Sequence, residues 1–279
     1  MSRLGRARDA QGVERWLWSS GGIVRDLSAA GLGDSLAEVA TWLADGDARE
    51  ALVASAPEVA SSAWQLLLPG RPGKALCLGR NFAAHAQEMG ATPGGELLWF
   101  AKLPEVLIGP DEPVRLPAWM DTRVDPEAEL VALVGRPLHG ASNEEAEAAV
   151  VAYTLGNDLT ARGIQEGDKK KGWPWLRSKN LPGSGCLGPA WTPAGDLPDF
   201  DSIMLRGSVN GVVRQEGRLG DLIWRPGPAL AEISRWLPLN PGDIVYLGTP
   251  SGVAPVHPGD EMVVEAEGLG RLRNRVERG

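Results

Sequence analysis

Apolar positions along this chain fall in short runs, most of them strand-like. Val13 to Trp18 and Ile23 to Leu27 flank Ser19-Ser20-Gly21-Gly22, a turn composition, so residues 13–27 are expected to form a hairpin. Ser35 stands three residues before Glu38, the spacing of a capping box. Leu36, Val39, Trp42 and Leu43 follow with a helical period. Lys74 to Leu78 reads as a buried strand ending at Gly79, and Phe82 to Met89 as a short helix. Leu97 to Lys102 and Glu129 to Val134 read as further strands. Ser142 and Glu145 repeat the capping-box spacing and predict a helix to about Tyr153, with a strand leading to Asn157 and Asp158. Asn210-Gly211, between Ser208 and Arg214, is the strongest short hairpin signal in the chain. Ala229 to Leu237 predicts a helix. Pro241-Gly242-Asp243 and Pro258-Gly259-Asp260 predict turns that feed strands.

Strands outnumber helices and do not alternate with them regularly. This favours an α+β fold with a large sheet core over a doubly wound βαβ fold. Pro69-Gly70-Arg71-Pro72-Gly73 has linker composition. It divides the 279 residues into a small N-terminal domain, residues 1–70, and a larger one, residues 71–279.

Composition narrows the chemistry. Hydrophobic residues make up 43% and charged residues 23%, an ordinary globular composition that argues against a disordered chain. The net charge of −8 disfavours nucleic acid and anionic membranes as partners, since both need a basic face. No apolar run approaches the length of a membrane span, and the basic first residues lead into Asp9 and Glu14 rather than an apolar signal segment. Cys77 and Cys186 are simplest as separate reduced thiols, so a cytoplasmic setting is expected. With two cysteines and three histidines, Cys₄ zinc sites and disulfide scaffolds are excluded. What remains of metal chemistry is mostly carboxylate chemistry.

Three acids fit that route. Glu127 and Glu129 are two apart, so on a strand they share a face, at the mouth of the apolar run Leu130-Val131-Ala132-Leu133-Val134. Asp158 is set between apolar Tyr153-Thr154-Leu155 and Leu159. Three oxygen donors suit a hard cation, Mg²⁺ first, with Mn²⁺ or Ca²⁺ as alternatives, and leave positions open for water and substrate. The same spacing also fits solvated acids on an exposed strand face. His85 and Glu88 lie three apart on the short helix, so the carboxylate can orient the imidazole for general-base work. A surface pair has the same spacing. Of the six lysines, Lys169-Lys170-Lys171 reads as a solvated loop. Lys179 follows an apolar stretch with Trp173 and Trp175, and is either an oxyanion-stabilising group or an ordinary snorkelling lysine. Gly248-Thr249-Pro250-Ser251-Gly252 is a Gly-rich turn able to offer backbone N–H groups.

Taken together, the segments resemble the fumarylacetoacetate hydrolase family over residues 74–277. The resemblance is carried by Gly79-Arg80-Asn81-Phe82 with His85-Ala-Gln-Glu88-Met89, Phe100-Ala-Lys102-Leu-Pro104, Glu127-Ala-Glu129-Leu130 and Gly156-Asn157-Asp158-Leu-Thr160-Ala-Arg162. It continues through Gln165, Lys169-Lys-Lys-Gly172-Trp-Pro-Trp175 with Lys179, Val209-Asn-Gly211, Gly248-Thr-Pro250 and Gly268-Leu-Gly270. The lysine-rich stretch looks like the acylpyruvate hydrolase and oxaloacetate decarboxylase branch.

The resemblance implies a mixed β-rich roll, assembled as a homodimer, and a small-molecule 2-oxo acid substrate. It implies that Glu127, Glu129 and Asp158 bind Mg²⁺ or Mn²⁺, that His85 and Glu88 activate water, and that Lys179 stabilises negative charge. Gln165, Arg80 and Thr249 would bind substrate. The expected reaction is C–C cleavage of an acylpyruvate or related 2,4-dioxo acid through a metal-stabilised enolate. Isomerisation, tautomerisation or decarboxylation of a 2-oxo acid, or a member that only binds ligand, are the alternatives. Gly163, Asn180 and Leu247 depart from the family pattern at positions expected to touch the substrate pocket.

Overall fold

The computed structural model describes residues 1–60, 64–88 and 95–279. Its centre is a run of strands too apolar to face water on either side. In the strand Ala128–Val134, Leu130, Ala132 and Val134 point into one core while Val131 and Leu133 point into another. Its neighbour Val150–Asp158 is likewise buried at every position, and the two pair antiparallel with Glu129 opposite Gly156. Such two-sided burial explains the continuous apolar runs in the sequence.

The main sheet runs Glu58–Val59, Ile23–Asp26, Glu14–Ser20, Arg3–Arg8, Gly185–Pro193, Val150–Asp158, Ala128–Val134, Ile244–Tyr246, Ala75–Gly79, Leu98–Lys102. A second sheet runs Val212–Arg218, Met204–Val209, Glu261–Ala266, Gly270–Arg278, Val114–Leu116 and packs over one face of the first. Strands dominate and the helices are short, so the α+β architecture expected from the pattern is what forms. The N-terminal strands enter the main sheet where Leu4 pairs with Trp191. Trp16, Leu36 and Val39 then share a core with Val131, Leu133 and Tyr246.

Several local expectations hold to within a residue or two. The first hairpin turns at Gly21-Gly22 and the later one at Asn210-Gly211. All four residues have positive φ, the conformation a two-residue turn needs between right-twisted strands. Both capping boxes form, at Ser35–Glu38 and Ser142–Glu145. Ala83–Glu88 is the expected short helix, and Met89, its expected end, lies outside the described residues.

Three expectations need correction. The helix after Ser142 covers only Asn143–Ala148, and Val150 to Tyr153 are strand. Two β-branched valines and pairing with Leu133 and Val134 outweigh the helical start. Lys169 and Lys170 close the helix Arg162–Lys170 rather than lying in a loop, although they are solvated as expected. The helix expected at Ala229–Leu237 is Pro226–Ser234, begun by a proline at a position where its missing N–H costs nothing.

The site is positioned by strand ends. Ile244–Tyr246 and Ala75–Gly79 run parallel, so the segments that follow them, Leu247-Gly248-Thr249 and Arg80-Asn81, emerge at one edge. The antiparallel partners bring the start of Ala128–Val134 and the end of Val150–Asp158 to that same edge. Gly156 is required for this arrangement. A Cβ there would sit 2.3 Å from the Tyr246 ring, whose hydroxyl donates to the Cys186 carbonyl at 3.0 Å. Gly156→Ala should lower the unfolding free energy by about 1–3 kcal/mol through overpacking, read as a lower urea midpoint at unchanged slope. An unchanged midpoint would show that the ring yields freely.

Candidate metal and catalytic site

Glu127, Glu129 and Asp158 come together. Each offers an oxygen, and these atoms all lie within 4.8 Å of one another, in residues that are all buried. The period of two puts the two glutamates on one face. Asp158 joins them from the neighbouring strand, its N–H donating to the Glu127 carbonyl at 2.9 Å. Asn157 supports the corner by accepting the Glu127 N–H at 2.9 Å.

Lys179 is no snorkelling side chain. It is buried, and its ammonium donates to Glu127 Oε2 at 2.7 Å and Asp158 Oδ2 at 2.6 Å. Burial alone would lower its pKa, but Asp158 and Glu127 outweigh that and raise it, so it stays charged. Burial pushes the Glu127 carboxyl up, but Lys179 and Arg162 reverse the sign and hold it at about 2. Glu129 is different. Burial, then Asp158 and Glu127, push it well above the usual carboxylate range. The Gly248 N–H reaches it at 2.7 Å, and no Lys or Arg pairs with it among the described residues.

These acids fit a hard cation. The donor set is all oxygen. Glu129 is an acid without a cation, beside two others. Asp158 Oδ1 has Lys102 Nζ 2.8 Å away but accepts no aligned hydrogen bond among the described residues, that ammonium donating to Ser184 Oγ and the Lys179 carbonyl. Both features are costly in a dry site unless a further positive charge shares them.

The other expected residues gather around one cleft. His85, Arg80, Gln165, Thr249 and Lys179 line it with Glu127 and Glu129, while Asp158 lies behind. His85 is buried, and its Nδ1 lies 3.1 Å from Glu88 Oε2. The Gly252 N–H steadies that carboxylate at 3.3 Å. Thr249 Oγ1 accepts from Gln215 Nε2 at 2.7 Å, which leaves its own proton to donate. Leu78, Phe100 and Trp175 supply an apolar wall, with Phe100 and Trp175 edge to face at 5.5 Å. Trp173 does not share it. That ring is half exposed and stacks under Lys171 and Arg177.

None of the three departures from the family pattern lines the cleft, although Gly163 and Asn180 each follow a lining residue and Leu247 lies two before one. Leu247 is fully buried in the core. Asn180 clips loops together, accepting the Leu103 N–H at 2.6 Å and donating to the Ala101 and Leu176 carbonyls. Gly163 is exposed, and a Cβ there would meet Thr122 Oγ1 at 2.3 Å. A side chain at 163 therefore requires Thr122 to move.

Sequence reasoning gave no role to Arg162, Asp125 or Lys102. Arg162 donates from Nε to Asp125 Oδ2 at 2.9 Å, from Nη1 to Gln165 Oε1 at 2.7 Å and from Nη2 to Glu127 Oε1 at 2.6 Å. One planar fork thus sets the orientation of a metal-site acid and a pocket amide. The available signal was the alternation Asp125-Pro-Glu127-Ala-Glu129, three acids with one period.

The chain belongs to the fumarylacetoacetate hydrolase family: the model described as fumarylacetoacetate (FAA) hydrolase C-terminal matches residues 74–277. Oxaloacetate tautomerase YcgM of Escherichia coli K12 is 36% identical over 207 residues, 74% of this chain and 94% of the relative. A 4-hydroxyphenylacetate degradation bifunctional isomerase/decarboxylase of Escherichia coli is 38% identical over 209 residues, 75% of this chain and 48% of the relative. The solved fumarylacetoacetate hydrolase of psychrophilic Exiguobacterium antarcticum superposes with a TM-score of 0.87 at 28% identity, covering 100% of both chains. Members of the family thus carry hydrolase, tautomerase, isomerase and decarboxylase names. No helix among the described residues is long and apolar enough to cross a membrane.

Proposed function

We propose that this protein is a divalent-metal-dependent hydrolase that cleaves the C–C bond of an acylpyruvate or related 2,4-dioxo acid. The observation that carries this reading is His85, buried in the wall of the cleft that Glu127 and Glu129 also line, with Glu88 on its Nδ1. The catalytic unit is residues 71–279. The family match beginning at Lys74 supports that division from the small N-terminal unit.

Glu127, Glu129 and Asp158 would hold Mg²⁺, with Mn²⁺ as the nearest substitute. When bound, such an ion polarises the carboxylate and keto oxygens of a 2-oxo acid as a Lewis acid. The remaining steps belong to the chain. Glu88, accepting from Nδ1, leaves the Nε2 lone pair of His85 free to take a proton from water and stabilises the imidazolium that results. The water oxygen bonds to the distal carbonyl carbon. The adjoining C–C bond breaks, and its electron pair leaves with the pyruvate enolate, which takes up a proton at carbon. The carboxylic acid departs with the water oxygen. Lys179 meets the developing negative charge. Thr249 donates its hydroxyl proton to the carboxylate end. Gln165, whose Oε1 is held by Arg162, presents its NH₂ there.

A second reading is favoured by the name of the 36% identical relative: tautomerisation, isomerisation or decarboxylation of a 2-oxo acid, which shares the enolate but needs no activated water. The test is purified protein with Mg²⁺ or with EDTA, given acetylpyruvate, fumarylpyruvate and oxaloacetate. Pyruvate release from the 2,4-dioxo acids, removed by EDTA and restored by Mg²⁺, is expected. Keto–enol conversion of oxaloacetate with no cleavage would replace the first reading by the second. No turnover and no bound metal would leave a member that only binds ligand.

A further inference from the structure

A second pocket, of about 260 Å³, shares no lining residue with the catalytic cleft. The helix Asn143–Ala148, the start of the helix Pro226–Ser234 and the segment 194–200 all contribute to it. Leu197, Phe200 and Pro226 make its walls apolar, and three polar side chains face it: Glu147, Arg225 and Tyr153. Tyr153 lies on the strand Val150–Asp158, five residues before the acid that ends it. At 3.4 Å per residue that is about 17 Å from the acid cluster. The reaction proposed for the cleft uses none of these groups.

Tyr153 is 4% exposed, yet its hydroxyl makes no hydrogen bond among the described residues. A buried phenol normally finds a partner. Burial pushes its pKa up, Glu147 adds to that push and Arg225 opposes it, so both charges act on this one hydroxyl. The two charges do not pair with each other. Arg225 donates from Nη1 to exposed Asp201, and its guanidinium lies over Phe200 at 4.7 Å from the ring centroid. Its Nε and Nη2 have no acceptor among the described residues. Glu147 Oε2 accepts the Gly227 N–H at 2.9 Å, and no Lys or Arg pairs with this carboxylate among the described residues. Residues 61–63 and 89–94 carry no charge that could pair with either group.

A cation and an anion held apart in one apolar pocket, both acting on the same hydroxyl, match a zwitterion with an apolar body. We infer that this pocket binds an α-amino acid with an apolar side chain. Its carboxylate would meet Arg225 and the Tyr153 hydroxyl, its ammonium Glu147, and its side chain Leu197 and Phe200. A simple anion would leave Glu147 facing like charge, and a simple amine would do the same to Arg225. The volume lies just below the usual range for ligand pockets, about 300–1,000 Å³, which suits one amino acid better than a nucleotide. The inference is independent of the reaction assigned to the catalytic cleft.

Calorimetry on the full chain with Mg²⁺ present tests it with three compounds that share one ring. L-Phenylalanine carries both charges, 3-phenylpropionate lacks the ammonium and phenethylamine lacks the carboxylate. L-Phenylalanine should bind saturably, one per chain, and at least about tenfold tighter than either of the others. Glu147→Gln, which keeps an acceptor for Gly227, should erase the preference over 3-phenylpropionate. Arg225→Gln should erase the preference over phenethylamine. Tyr153→Phe, which keeps the ring packed 5.6 Å from Phe200, should weaken L-phenylalanine by about fivefold. No saturable binding of L-phenylalanine or L-leucine, or a singly charged analogue bound as tightly by the wild type, would overturn the inference. So would affinity unchanged in the three folded variants, and loss of binding in Glu129→Ala in that case would place the ligand in the catalytic cleft instead.

Discussion

Glu129→Ala should abolish metal-dependent turnover, by about a thousandfold or more, while the protein remains folded. The size follows from what the residue does. Three carboxylates leave no redundancy in an oxygen site, and Glu129 is the one that no lysine or arginine neutralises. Glu127 and Asp158 would remain, bridged by Lys179, a closed ion pair with little reason to bind a cation. Two effects on stability oppose each other. The Gly248 N–H loses its acceptor, which costs about 1–3 kcal/mol, while repulsion among three buried acids is relieved. Thermal unfolding of wild type and variant without metal should therefore differ little, so lost activity cannot be ascribed to lost fold. Full activity in Glu129→Ala would refute the acid triad.

His85→Ala separates the base from the metal. Cleavage should fall by about 10²–10⁴-fold, the range for removal of a positioned general base, with metal affinity near that of the wild type. The geometry sets this split: His85 pairs with Glu88, not with any of the three acids. Mn²⁺ titration and turnover on the same preparation read both quantities. If His85→Ala loses the metal, His85 is a ligand and the base must be sought elsewhere. If cleavage survives, water is activated by another group. Should oxaloacetate keto–enol conversion persist while cleavage is lost, the enolate chemistry and the water chemistry will have been separated by one residue.

How far the sequence could be read depended on the range of the interaction. Turns and caps are local, so Gly21-Gly22, Asn210-Gly211 and both Ser–Glu boxes were legible within four residues. The end of the helix after Ser142 was not, because the pairing that converts Val150 to Tyr153 into strand comes from Ala132 to Val134. The glutamate pair was legible from the period of two. Asp158 joins it only through strand pairing, and along the chain only its apolar flanks and the family resemblance pointed to it. Arg162 and Asp125 lie 37 positions apart and meet because the short strands Val124–Asp125 and Thr160–Ala161 pair. No pattern along the chain announces such a contact. Lys102 was hidden for a similar reason: its side chain ends behind Asp158, across the sheet edge. Trp173 and Trp175 look alike in sequence, yet one lines the cleft and the other stacks under surface cations.

Calorimetric titration of Mn²⁺ into metal-stripped wild type and Glu129→Ala tests the central claim most directly. One saturable ion per chain in the wild type, and none in the variant, is the predicted result. No saturable binding in the wild type, or equal binding in both, would contradict the assignment of Glu127, Glu129 and Asp158 as the metal centre.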